Sequence, residues 1–205
     1  FYDAGNKGKN FRGTSENTIE EINCRRMGNK KYFLLVLLFH MALLVSASSV
    51  DTLIVHSKAM NKDIKNVVIT PNGYGKKNTP YKVVYLLHGA GGDYKAWLKV
   101  APKLTAYADQ YNIIIVCPDG DVKSWYLDSP IDPTFKYETY VSKELVAEVD
   151  DKYNTVKNAN ARAITGYSMG GHGALYLAFK HYDVWGVAAS MSGGVDIRPY
   201  ALKWG

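Results

Sequence analysis

Ser168 lies in Gly166-Tyr167-Ser168-Met169-Gly170, after the apolar run Ala163-Ile164-Thr165 and before Gly170-Gly171-His172-Gly173-Ala174-Leu175-Tyr176-Leu177-Ala178. A serine at such a strand-to-helix corner is suited to attack a carbonyl carbon. The tight turn lifts its hydroxyl above the strand ends, and the flanking glycines let strand and helix approach without a Cβ clash. The helix N-terminus behind it favours the negative charge that develops on the attacked oxygen. The pentapeptide alone is a weak signal in a chain with 18 glycines, so the strand and helix around it carry the reading. The competing reading is an inert glycine-rich turn. A second segment, Leu87-His88-Gly89-Ala90-Gly91-Gly92, can aim backbone N–H groups at a tetrahedral oxygen. Its Ala90 N–H and the Met169 N–H are the expected oxyanion donors, against the alternative of an anion-binding or simple turn loop. Neither segment has the Gly-x-x-x-x-Gly-Lys spacing of a phosphate loop.

These groups need a scaffold that brings two loops together. From Val50 onward, short β-branched runs alternate with longer stretches of helical period, which predicts an α/β fold with a mostly parallel sheet between two helical layers. Strands are expected at Thr52–His56, Asn66–Thr70, Val83–Leu87, Ile113–Cys117, Ala163–Tyr167 and Val187–Ser192, the first two as an antiparallel entry to the sheet. Val83-Val84-Tyr85-Leu86-Leu87 and Ile113-Ile114-Ile115-Val116 lack polar alternation, as central strands covered on both faces do. Helices are expected over Trp97–Asp109 and Tyr137–Tyr153, the latter from the four-residue repeat of Val141, Leu145 and Val149. The loops Gly89 to Gly92, Pro118-Asp119-Gly120 and Ser192-Gly193-Gly194 each follow a strand, on the edge where open α/β sheets bind ligands. Cys117, closing an apolar strand, reads as a small buried hydrophobe.

Four motifs in this order carry a more specific likeness: Tyr85-Leu86-Leu87-His88-Gly89, Cys117-Pro118-Asp119-Gly120, Ser124-Trp125-Tyr126 and Gly166 through Ala174. The chain resembles the esterase D-like family, which includes S-formylglutathione hydrolases, feruloyl and acetyl-xylan esterases of carbohydrate esterase family one, and mycolyltransferases. The likeness runs from about Val50 to Pro199. It implies the α/β-hydrolase fold and acyl transfer from an ester or thioester through an acyl-serine, with no metal and no organic cofactor. Position by position, Ser168 matches the nucleophile, Ala90 and Met169 the oxyanion donors, and Trp125-Tyr126 a segment lining the acyl cleft. His88 and Trp97 join Trp125 and Tyr126 as candidate substrate contacts, packing of these aromatics being the plainer alternative.

A serine hydroxyl needs a histidine to take its proton, and that histidine needs an acid to orient it. In this fold they follow the serine as Asp or Glu, then His. Only 37 residues follow Ser168, with His172 and His181 among them. His172 is expected to pack or hydrogen-bond, and His181 to cap the carbonyls that end its helix. His88 is a poor candidate for the base because it precedes the acid, and Asp196 is a weak candidate for the acid. Triad acid and histidine are therefore expected beyond Gly205, on a hydrolase domain spanning 48–205 that is truncated at its C-terminus.

At 47% hydrophobic and 21% charged residues, the chain can bury one substantial core. Its net charge of +6 falls to +3 from Ser48 onward, where 18 basic and 15 acidic residues remain. No basic cluster interleaves with aromatics, which excludes nucleic acid as an expected partner. Residues 27–47 read as a secretory signal: Met27-Gly28-Asn29-Lys30-Lys31, then a 14-residue, almost wholly apolar run from Tyr32 to Val45, then Val45-Ser46-Ala47. Cleavage is expected after Ala47, giving a secreted or periplasmic protein. The run is shorter than the roughly 20 apolar residues of a membrane span, so no stable anchor is expected. Residues 1–26, which precede that signal and lack apolar periodicity, read as upstream sequence translated in frame. Together these features predict an exported serine esterase acting on acetyl or feruloyl groups of polysaccharide. An acyltransferase on the same scaffold and a non-catalytic carbohydrate-binding relative are the alternatives.

Overall fold

The computed structural model describes residues 48–76 and 78–196. The signal-peptide reading of 27–47 and the reading of 1–26 lie outside them. Six strands form one sheet: β1 (Ser49–Ser57), β2 (Lys62–Thr70), β3 (Lys82–Leu87), β4 (Ile113–Pro118), β5 (Arg162–Tyr167) and β6 (Val187–Met191), in the order β1-β2-β4-β3-β5-β6. β1 pairs antiparallel with β2, and β2 antiparallel with β4. β4, β3, β5 and β6 run parallel.

The apolar runs are unbroken because both faces of the central strands are covered. Successive side chains point to opposite faces. Val83, Tyr85 and Leu87 of β3 and Ile114 and Val116 of β4 enter one core with residues of the helices that follow β4 and β5. Leu86, Ile115 and Cys117 enter the other, against Leu104 and Ala108. The result is the expected three-layer sandwich.

The helices depart from expectation in two places. Trp97–Asp109 is not one helix but two, α1 (Ala96–Val100) and α2 (Leu104–Tyr111). Pro102 separates them, since it has no N–H to donate and drives the preceding residue out of the helical region; Ala101 sits at φ −131°, ψ 72°. The second predicted helix exists as α3 (Tyr137–Thr139), a π-helical segment (Tyr140–Leu145) and α4 (Val146–Lys152) in succession. Val141, Leu145 and Val149 are all fully buried along it, as their spacing requires. The wide turn also buries Tyr140 and Ser142, and it brings the Tyr140 hydroxyl 2.9 Å from the buried Asn66 Oδ1 on β2. α5 (Met169–Lys180) follows β5 directly.

The connection leaving β3 leads outward to β4, the chain then crosses back over β3 to β5, and the connection leaving β5 leads on to β6 in the opposite direction. A crevice therefore opens beyond the carboxyl ends of β3 and β5, where the connections diverge. The loop after β3 and the corner after β5 both emerge there.

Candidate active site

Ser168 is the corner between β5 and α5, exposed, at φ 53° and ψ −119°. A non-glycine residue with such angles is outside the regions open to L-residues, and holding it there costs about 1–3 kcal/mol. Two hydrogen bonds impose the conformation. Its N–H donates to the Met191 carbonyl of β6 at 2.9 Å, and its carbonyl accepts the His172 N–H at 3.0 Å. A Cβ on Gly166 would lie 2.5 Å from the Gly170 carbonyl carbon and 2.6 Å from the Leu87 oxygen. Only glycine allows this approach of strand, helix and the end of β3. The Met169 N–H stands in the first turn of α5, where the helix supplies it no acceptor, while its side chain is fully buried.

The Gly89 to Gly92 loop leaves β3 beside this corner; a Cβ on Gly89 would meet the Tyr167 ring at 2.6 Å. Ala90 is exposed at its crest. The structure thus brings Ser168, the Met169 N–H and the Ala90 segment to one end of the sheet.

The aromatic candidates divide. Trp97 is half-buried; its Nε1 donates to the Leu87 carbonyl at 3.0 Å and its ring meets Tyr167 edge-on at 5.3 Å. Trp125 is half-buried with φ 56°, and its ring stands edge-on to His172 at 5.2 Å. His88 and Tyr126 do not line a cleft. Both are completely buried, which corrects their reading as substrate contacts. Burial holds the Tyr126 phenol well above its ordinary pKa, so the hydroxyl keeps its proton and donates to the His88 carbonyl at 3.1 Å. Cys117 is buried as expected, and burial pushes its thiol up to about 12.

No described histidine is hydrogen-bonded to the Ser168 hydroxyl, although His172 Nε2 is buried without a partner. His56 pairs with Asp63 at 2.8 Å on the surface, and His88 bonds Gly89 and Gly120. His172 donates through Nδ1 to the Gly194 carbonyl at 2.7 Å, the hydrogen-bonding role anticipated for it. His181 does not cap helix carbonyls with its ring; instead Nε2 lies 2.9 Å from Glu138 Oε1. That buried carboxylate also takes the Tyr176 hydroxyl at 2.7 Å and Lys180 Nζ at 2.9 Å, and so draws the ring away. Asp196 is exposed beyond β6. Among the described residues no group of three or more His, Cys, Asp or Glu is placed to hold a metal ion. The arrangement can present a serine hydroxyl and N–H donors to a carbonyl, and lacks a base in contact with that hydroxyl among the described residues.

The esterase family model described as "Putative esterase" matches residues 57–205. An esterase of Mycobacterium tuberculosis is 33% identical over 134 residues, which cover 64% of this chain and 29% of that protein. An acetyl esterase of Caldicellulosiruptor saccharolyticus is 31% identical over 100 residues, 49% of this chain and 36% of that protein. The solved structure of a ferulic acid esterase superposes with a TM-score of 0.67 at 29% identity, covering 75% of this chain and 61% of that one. The chain thus spans well under half the length of these curated relatives, and the sheet and its helices are those of the α/β-hydrolase fold.

Proposed function

The chain belongs to this esterase family, and from that premise we propose that it carries the acyl-binding half of an exported serine carboxylic-ester hydrolase. The observation that carries the proposal is the strained, exposed Ser168 at the end of β5, with the Ala90 loop packed beside it. In the reaction, Ser168 Oγ adds to the ester carbonyl carbon while its proton passes to a histidine base. The oxyanion forms against the Ala90 and Met169 N–H groups, each worth about 3 kcal/mol of transition-state stabilisation. Collapse breaks the ester C–O bond and the proton leaves with the alcohol. Water then cleaves the acyl-serine and restores the hydroxyl. The histidine and its acid are not among the described residues that contact the Ser168 hydroxyl, and the proposed route calls on no metal or organic cofactor. Acetyl or feruloyl groups on polysaccharide are the proposed acyl substrates. The reading of residues 27–47 as a signal and the names of the acetyl and ferulic acid esterase relatives support that choice.

Fluorophosphonate labelling of the full-length product tests the nucleophile. Labelling that disappears in Ser168→Ala is the expected result, and an unlabelled wild type, as from a binding protein, overturns it. With a chromogenic acetate, the 205-residue polypeptide is expected to turn over negligibly. Robust hydrolysis abolished by Ser168→Ala would mean that a histidine already present serves as base. Transfer of the acyl group to an added sugar, in place of release as free acid, would identify an acyltransferase.

A further inference from the structure

The loop that carries Ala90 does not hold its shape alone. His88 at its root is completely buried, with Nδ1 2.8 Å from the Gly89 carbonyl oxygen and Nε2 2.8 Å from the Gly120 nitrogen. A carbonyl can only accept and an amide N–H can only donate, so the two contacts together admit one tautomer. Nδ1 carries the proton, and the Nε2 lone pair accepts the Gly120 N–H. Asp119 Oδ1, 4.0 Å from Nε2, is the nearby carboxylate that would pair with a charged ring, but the Gly120 N–H already occupies that nitrogen.

Two further hydrogen bonds to main-chain carbonyls run in parallel with the ring. The Tyr126 hydroxyl donates to the His88 carbonyl at 3.1 Å, and the Gly91 N–H donates to the Val122 carbonyl at 2.8 Å. The receiving loop is itself fixed. Ser124 Oγ bonds the Gly120 carbonyl and accepts the Tyr126 N–H at 3.0 Å, and Trp125 and Tyr126 are both held at positive φ, 56° and 58°. Space is filled to the same degree: a Cβ on Gly92 would come 2.8 Å from His88 Nδ1. Ala90 lies between residues fastened on both sides.

We infer that His88 is a positioning residue for acyl transfer: as the neutral Nδ1–H tautomer it bolts the loop after β3 to the loop after β4, and so fixes where the Ala90 N–H points. The inference rests on the proposed roles of Ser168 and Ala90 for its catalytic consequence, though not for the bolt itself. A free loop would spread its donor over many directions, and the rate lost should approach that of losing one donor, about 10²-fold.

The test compares His88→Gln, His88→Asn and His88→Ala in the full-length protein. A glutamine oxygen reaches the place of Nε2 and can still accept the Gly120 N–H, whereas asparagine reaches only the place of Nδ1. The second-order rate of Ser168 phosphonylation by a fluorophosphonate should fall roughly 10- to 100-fold in His88→Ala and His88→Asn and largely recover in His88→Gln. The saturation constant for the probe should move little. In the wild type, nitrogen NMR should find Nδ1 protonated and Nε2 bare, and the Gly91 and Gly120 amides should exchange slowly in His88→Gln and fast in His88→Ala. Unchanged labelling in His88→Ala, rescue by asparagine in place of glutamine, or a protonated Nε2 overturns the inference. If wild-type Ser168 does not label at all, the functional reading fails, and the tautomer and amide exchange still decide the bolt. If His88→Ala does not fold, the contrast between His88→Gln and His88→Asn decides it.

Discussion

The backbone at Ser168 trades stability for presentation of a hydroxyl. Angles of φ 53° and ψ −119° are accessible to glycine and costly for any residue with a Cβ. Ser168→Gly should therefore stabilise the fold by about 0.5–2 kcal/mol, the relief of strain less the added chain entropy of glycine. Ser168→Ala, which keeps the Cβ, should leave the denaturant midpoint within about 0.5 kcal/mol of wild type. Equilibrium unfolding of the three proteins checks this, and a Ser168→Gly protein no more stable than Ser168→Ala would mean the corner is not strained. The serine was legible in the sequence because glycines at Gly166 and Gly170 mark a close approach whatever surrounds them. His88 and Tyr126 were misplaced for the opposite reason. Their partners, Gly120 and the His88 carbonyl, lie more than 30 residues away along the chain, and no spacing rule encodes a contact between two loops.

At the level of elements, the central strands β3 and β4 were legible because unbroken β-branched runs mark strands that both helical layers bury, and the limits of all six strands agree with expectation within a few residues. The helix break was also encoded, in Pro102, but apolar periodicity on both sides masked it. The π-helical turn was not legible, since it follows from what Tyr140 must reach on β2. The same limit hid the cluster around Glu138, which joins α3 to the end of α5. Burial raises the Glu138 carboxyl, but the hydrogen bonds from Tyr176, Lys180 and His181 outweigh it and leave the group below its usual value. A carboxyl depressed in the folded state adds stability above its unfolded pKa of about 4.3, and that stability is lost as pH falls through the folded value. Glu138→Gln should accordingly cost about 1.5–3 kcal/mol near neutral pH, the worth of a hydrogen bond to a charged group. The difference from wild type should shrink steadily below about pH 4. Unfolding midpoints measured across that range check the sign; a difference that grows on acidification would contradict the depressed carboxyl.

For the whole molecule, the two edges of the sheet differ. β1 closes one side with an outward row in which Val50 and Ile54 alternate with Thr52 and His56, but β6 ends the other side exposed along nearly its full length. Val187 and Met191 are 59% and 43% exposed, and Phe179, Tyr182 and Val195 nearby are 79%, 81% and 75% exposed. Among the described residues β6 pairs with β5 alone, so within them its other edge has no strand partner and lies beside an apolar surface. That combination is the usual template for pairing with another chain. The alternation of Val187, Ala189 and Met191 puts these three on one face, so charge placed at its two ends should oppose such pairing without touching a buried contact. The 205-residue polypeptide is expected to self-associate at micromolar concentration, and the Val187→Lys, Met191→Lys double variant to sediment as a smaller species. Because both side chains are already exposed, the double variant should unfold within about 0.5 kcal/mol of wild type. Sedimentation velocity and denaturant unfolding separate the two effects. Association that persists unchanged in the double variant would assign it to another surface and leave the β6 edge without that role.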